Sequence, residues 1–273
     1  MAIRKKHLAR RVYGVARRPE TIRQAKSRGA IDSGGTSLKE GLAQADLVIL
    51  ATPPATIVPL VEEIIQLVAR PILVTDVAST KSEIVRSIEN RIRTEKSSLQ
   101  FVGGHPIAGS EQSGISAARE DLFEGATCVL TPTQQTSQQA TSLVRFLWKT
   151  LDTKVVELTP ERHDKLIAEA SHVPHLAAGG VIMATSGGAF ELAGSGFRDA
   201  TRIAASSPDM WTEVCRTNPK PIIQMLNRLI TQLEKIKKLV TKGEGVALRR
   251  QLELARRRRQ SLLKSRGRPR GAG

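Results

Sequence analysis

Leu47-Val48-Ile49-Leu50-Ala51-Thr52-Pro53-Pro54 decides the fold of this 273-residue chain. Its first five residues are a continuous apolar run, as expected of a strand buried on both faces of a parallel sheet. Thr52-Pro53-Pro54 breaks the run, and apolar residues then recur with helical spacing from Thr56 to Val68. Strand, break and helix make one βα unit. The same alternation repeats on either side. Arg11–Val15 reads as a strand, followed by a helix over Pro19–Lys26 that Gly29 stops. Ile72–Asp76 reads as another buried strand, followed by a helix over Thr80–Arg93. Phe101–Gly104, Cys128–Leu130 and Val155-Val156 complete the apolar runs. Alternating strands and helices predict βαβ units around a parallel sheet.

After about Thr159 the strand patterns stop. Pro160–Ala170 opens a helical region with expected interruptions at Gly179-Gly180 and Gly187-Gly188. Ile222–Val240 and Val246–Leu263 read as two long helices joined at Lys242–Gly245. The expected organisation is an α/β domain over residues 1–155, an all-helical domain over 156–263, and a basic disordered tail over 264–273.

The hydrophobic content of 40% suits a globular protein, and no apolar run is long enough for a membrane span. The N-terminus is basic but lacks the apolar stretch of a signal peptide, and Cys128 and Cys215 lie far apart in sequence. Both observations predict a cytoplasmic protein with reduced, buried thiols. The formal charge of +16 belongs to the ends: residues 1–28 carry +9 and residues 228–273 carry +12, which leaves the middle at −5. Arg256–Arg259 and the basic residues after Lys264 have no interleaved aromatics, so a solvated helix end and tail is expected rather than a nucleic-acid site.

A doubly wound dinucleotide domain opens with a strand, a G-x-G-x-x-G turn and a helix that holds the pyrophosphate. No such turn occurs here, and Met1–Ala9 reads as the end of that first helix. The sheet is therefore an incomplete Rossmann-type sheet without its first strand and phosphate cradle. The expectation is a true start about 20–30 residues upstream, the span of a strand, a turn and most of a helix. The alternative is a genuine short form without activity.

Gly103-Gly104-His105-Pro106-Ile107-Ala108-Gly109-Ser110-Glu111 carries the first chemical signal. His105 is expected just past a strand, on a loop edge where a general base meets a ligand at the carboxyl end of the sheet. Ser79 and Lys81 follow the strand ending at Asp76, on the same rim. Ser171-His172-Val173-Pro174-His175 is expected to interrupt the helical region. Gly194-Ser195-Gly196 precedes a helix expected to carry Arg202, with Trp211 nine residues further on.

Together these motifs resemble those of the prephenate/arogenate dehydrogenase family, from about residue 10 to residue 260. The resemblance implies an enzyme of tyrosine biosynthesis that uses a nicotinamide dinucleotide to oxidise and decarboxylate prephenate or arogenate. It implies that His105 is the catalytic histidine and that Ser79 hydrogen-bonds both the substrate and that histidine. Arg202 would grip a substrate carboxylate, which suits its guanidinium. Ser110, Glu111, Ser171 and His175 would line the substrate pocket, with Trp211 as its aromatic wall. Thr52, Pro53 and Lys81 would lie at the cofactor, and the helical half would form a homodimer. Arg17 and Arg18 follow the second strand where an NAD enzyme places an acidic residue, so NADP is favoured over NAD. The other readings are a related hydroxyacid or imine dehydrogenase and a nucleic-acid-binding protein driven by the basic ends.

Overall fold

The computed structural model describes residues 1–108 and 114–266. Their contacts form two compact bodies, Met1–Ile222 and the chain from Ile223 onward. The first body opens with α1 (Ala2–Lys5), β1 (Tyr13–Val15), α2 (Pro19–Ser27), β2 (Ser33–Gly35) and α3 (Leu38–Leu42). It continues with β3 (Leu47–Leu50), α4 (Pro54–Leu67), β4 (Leu73–Asp76), α5 (Ser82–Thr94) and β5 (Gln100–Ile107). Next come β6 (Thr127–Thr131), α6 (Gln138–Thr150), β7 (Lys154–Glu157) and α7 (Pro160–Ile167). A π turn over Ala168–His172 leads into α8 (Val173–Ala184), α9 (Gly187–Phe190) and α10 (Ser195–Thr201). A 3-10 turn over Arg202–Ala205, α11 (Pro208–Thr217), α12 (Pro219–Thr241) and α13 (Gly245–Arg266) complete the chain. The second body is the greater part of α12 with α13, turned at Gly243, where φ is +64°.

β3 to β7 form one five-stranded sheet in sequence order, while β1 and β2 pair in parallel as a separate sheet. Among the described residues, neither β1 nor β3 pairs with a strand on its other side. The sheet is not wholly parallel, because β5 and β6 run antiparallel. Their connection contains only a short 3-10 turn among its described residues, not the helical crossover that parallel neighbours need.

The five-stranded sheet is covered on both faces. Leu50, Val74 and Phe101 pack with Ile57, Val61 and Ile64 of α4 and Ile84, Val85 and Ile88 of α5. Their strand neighbours Ile49, Leu73 and Val102 belong to the other core, with Val144, Leu147 and Trp148 of α6. Alternation along each strand explains the division. Ala2 and Ile3 of α1 join the α6 core, so the expected helix end at the N-terminus does pack on the sheet.

Several expectations need correction. Gly179-Gly180 lies inside α8, and the break falls instead at Thr185-Ser186. β2 was invisible in the sequence because Ser33-Gly34-Gly35 has no apolar residue; a Cβ on Gly34 would lie 2.3 Å from the Gly14 carbonyl oxygen. Cys128 is buried, with its thiol pushed up to about 12 by burial, but Cys215 is only partly buried. α13 runs to Arg266, past the expected start of the tail at residue 264, because Leu, Lys and Arg favour helix. Residues 267–273 lie outside the described residues. The change near residue 155 is one of secondary structure, not a gap in packing, since α7 packs on α5 and β6.

β5 also extends further than expected, so that His105 and Pro106 lie within it, opposite Val129 and Cys128. β4 pairs with β5 only as far as Val102. Beyond that point the backbone ladder of β5 runs with β6 alone, a setting in which a proline is tolerated. Gly103 and Gly104 permit the close approach just before His105: a Cβ on Gly104 would lie 2.7 Å from the backbone oxygen of Asp76. Gly104→Ala should therefore cost about 1–3 kcal/mol, the usual penalty of overpacking. Chemical denaturation should show this loss, and a variant as stable as the parent would mean that the strands separate without strain.

Candidate active site

β5, β4 and α7 bring a buried cluster together at the carboxyl end of β4. His105 Nδ1 lies 2.8 Å from His163 Nε2, with the rings edge to face. His163 Nδ1 lies 2.8 Å from Asp164 Oδ1. His163 and Asp164 occupy the second turn of α7, which Thr159 caps by accepting from the Arg162 N–H. Asp164 in turn accepts from the backbone N–H groups of Lys81 and Ser82 at 2.8 Å each, which satisfies the start of α5. Burial alone would raise the Asp164 carboxyl, but hydrogen bonds from His163, Ser82 and Lys81 outweigh it and hold it below the usual value.

Lys81 is fully buried, in contact with Asp76 and donating to the Gly104 carbonyl at 2.9 Å. Asp76 also accepts from the Gly104 N–H at 3.0 Å and the Ala78 N–H at 3.1 Å. This corrects the expected role of Lys81 at the cofactor: its ammonium is spent inside the protein, tying β4 to β5. Burial holds the His105 ring well below the ordinary histidine value, and His163, Lys81 and His172 add to the effect. Lys81 thus disfavours a second positive charge at this site.

A second group adjoins the first. Asn218 donates to the Asp164 carbonyl at 2.9 Å and lies 3.2 Å from His172 Nδ1. The Trp211 ring stacks on His175 at 3.5 Å and meets His172 edge to face at 5.9 Å. His172 Nε2, His175 Nδ1 and Trp211 Nε1 are buried without a hydrogen-bond partner among the described residues. Three ring nitrogens left so are costly unless a polar ligand meets them.

Of the other expected residues, Ser79 is half-buried beside Thr80, whose hydroxyl donates to Thr217 on α11 at 2.9 Å. Ser171 and His172 do not interrupt a helix; they lie in the π turn that joins α7 to α8. Arg202 begins the 3-10 turn after α10 instead of riding on the helix, and that turn packs on α8. Ser110 and Glu111 lie outside the described residues. His163 and Asp164 were missed by the sequence reading. The usable signal was Thr159-Pro160, a helix start directly after the last strand, which puts an adjacent His-Asp pair near the sheet rim.

At the adenosine end of a doubly wound site, Arg17 and Arg18 are exposed between β1 and α2, with Arg18 at the N-cap of α2. A helix start with two guanidinium groups fits a phosphate. Thr52 and Pro53 are exposed before α4 and fit a dinucleotide crossing the carboxyl ends of the strands.

Residues 1–157 match the nucleotide-binding domain of prephenate dehydrogenase and residues 159–254 its dimerization domain. The chain belongs to the prephenate dehydrogenase family. It is 36% identical to the prephenate dehydrogenase of Bacillus subtilis, over 96% of this chain and 72% of that protein. The Lactococcus lactis enzyme of the same name is 35% identical over 96% and 73%. A crystal structure of prephenate dehydrogenase from Aquifex aeolicus with hydroxyphenyl propionate and NAD+ superimposes with a TM-score of 0.88 at 30% identity, covering 96% of this chain and 92% of that one. Synechocystis arogenate dehydrogenase gives 0.78 at 30%, over 92% and 90%. The expected dehydrogenase with a Rossmann-like domain followed by a helical one is therefore correct.

The buried histidines make stability depend on pH. Burial lowers His172 to about 4, with Asp164 opposing and His163 adding to the shift. An unfolded histidine titrates near 6.5, so the unfolded chain takes up the proton first as pH falls. The His172 contribution is therefore complete above about pH 6.5 and is lost toward pH 4, by at most about 3 kcal/mol. Denaturant melts across that window should show a shallower loss for His172→Asn, which keeps an acceptor for Asn218. Equal slopes would show that His172 is not the group responsible.

Proposed function

We propose that the protein is a prephenate dehydrogenase acting as a homodimer in the cytoplasm, with arogenate as the alternative substrate. The observation that carries this reading is the His105 ring, buried at the end of β5 and joined to His163, beside the nitrogens of His172, His175 and Trp211 that have no partner among the described residues. A bound nicotinamide dinucleotide would supply the hydride acceptor.

His105 is neutral at physiological pH because its ring is held below the ordinary value. It can therefore accept the proton of the substrate hydroxyl as the carbon bearing it loses hydride. Loss of the ring carboxylate as carbon dioxide then aromatises the ring and makes the reaction irreversible. Ser79 holds the hydroxyl against His105, and Arg202 binds a substrate carboxylate through its planar fork. Ser171, His175 and Trp211 form the pocket wall. Ser110 and Glu111 would complete it. Arg17 and Arg18 favour NADP through its 2′-phosphate.

Two measurements test these roles. In steady-state assays of dinucleotide reduction, His105→Asn should lower kcat by about 10²–10⁴ with little change in substrate affinity. It should also abolish an acid limb lying below the ordinary histidine value. Arg202→Gln should instead weaken substrate binding, since the carboxylate is held in ground and transition states alike. An unchanged pH profile in His105→Asn removes the histidine from the mechanism. For the cofactor, replacing Arg17 and Arg18 with Ala should raise KM for NADP far more than for NAD. Parallel weakening of both, or a parent that prefers NAD, makes the two arginines ordinary surface charges.

A further inference from the structure

Asp164 fixes the proton positions of two rings in succession. Its Oδ1 receives the Lys81 N–H and His163 Nδ1, and its Oδ2 receives the Ser82 N–H, each at 2.8 Å. Surrounded by donors, an ionised carboxylate is the acceptor in every one of these bonds. His163 Nδ1 therefore carries a hydrogen. A second hydrogen, on Nε2, would create a positive ring 2.8 Å from His105, in a pocket that already holds the Lys81 ammonium and His172. With one hydrogen only, His163 Nε2 is a lone pair and accepts from His105 Nδ1–H. The bond made by one ring nitrogen sets the state of the other.

We infer that His163 and Asp164 are positioning residues of a three-membered relay that holds His105 as its Nδ1–H tautomer, leaving the lone pair on Nε2 to take the substrate proton. The tautomer follows from the hydrogen bonds alone, while its catalytic use rests on the dehydrogenase reading above. In the proton step, the hydroxyl O–H bond breaks and an Nε2–H bond forms on His105. The resulting imidazolium still donates Nδ1–H to His163, whose own Nδ1–H is held by the Asp164 carboxylate. Positive charge on His105 is thus met by a negative group without any further proton leaving the ring. Among the described residues, the charged and titratable groups around His105 include Lys81 at the N-cap of α5, Asp76 on β4, His163 and Asp164 on α7, His172 in the π turn and Cys128 on β6.

The decisive measurement is long-range nitrogen–proton NMR of the histidine rings in the whole chain at neutral pH, with the five histidines assigned by single substitutions. The expected result is Nδ1 protonated and Nε2 unprotonated in both His105 and His163. A protonated Nε2 on His105, or a doubly protonated His163, overturns the relay whether or not the protein turns over substrate. Two variants then test its use. His163→Leu removes the acceptor and should release His105 to the other tautomer and lower kcat about 10–100-fold, the usual effect of losing an outer-shell partner. Its KM should stay close to the parent value. His163→Gln places a carbonyl oxygen near the lost Nε2 and should restore the His105 tautomer and most of kcat. Equal kcat losses in both variants, with the His105 tautomer unchanged, would make His163 a packing residue and overturn the inference.

Discussion

The buried contact between Lys81 and Asp76 is the constraint on which the site depends. It joins the end of β4 to the N-cap of α5, and through the Gly104 N–H and carbonyl it holds β5 at the residue before His105. Two charges with no exposure are costly to bury, and such a pair is tolerated only when its remaining hydrogen-bonding capacity is used. Here Asp76 takes two further N–H groups and Lys81 one carbonyl. Removing either partner would strand the other charge in the core, at a cost of about 3–5 kcal/mol. The pair thus fixes where three chain segments meet and also places a positive charge near the His105 ring.

Asp164 does the equivalent work from the helical side. Its carboxylate ends the unsatisfied start of α5, so one residue both caps a helix of the sheet layer and anchors the imidazole next to His105. Asn218 adds a bond from the end of α11 to the Asp164 carbonyl. The change from α/β to helical sequence near residue 155 is therefore bridged by buried polar bonds as well as apolar contacts, and the buried histidine cluster lies where the two chain patterns meet.

Much of this was legible in the sequence, for identifiable reasons. β3 and β4 were visible because strands buried on both faces need continuous apolar runs, and α4 and α5 because each covers a sheet face at helical spacing. β2 was hidden because its close contact with β1 left it with serine and glycine. His105 was singled out, but Pro106 suggested a loop, since pairing on only one side of β5 cannot be read from residue types. The inward turn of Lys81 was also hidden: a lysine on a sheet rim has the same sequence signature whether it meets a ligand or an aspartate. His163 and Asp164 escaped because an adjacent His-Asp pair on a polar helix is unremarkable until its neighbours are known.

The π turn over Ala168–His172 has a mechanical consequence of its own. A π turn holds one residue more than the α-helical turn it replaces, and each helical residue advances the side chains by about 100°. Regularising it into an α-helical turn at unchanged length would swing His172 and His175 through roughly a quarter turn relative to His163 and Asp164. The facing of those two pairs of residues is thus set by helical phase, which the extra residue of the π turn adjusts.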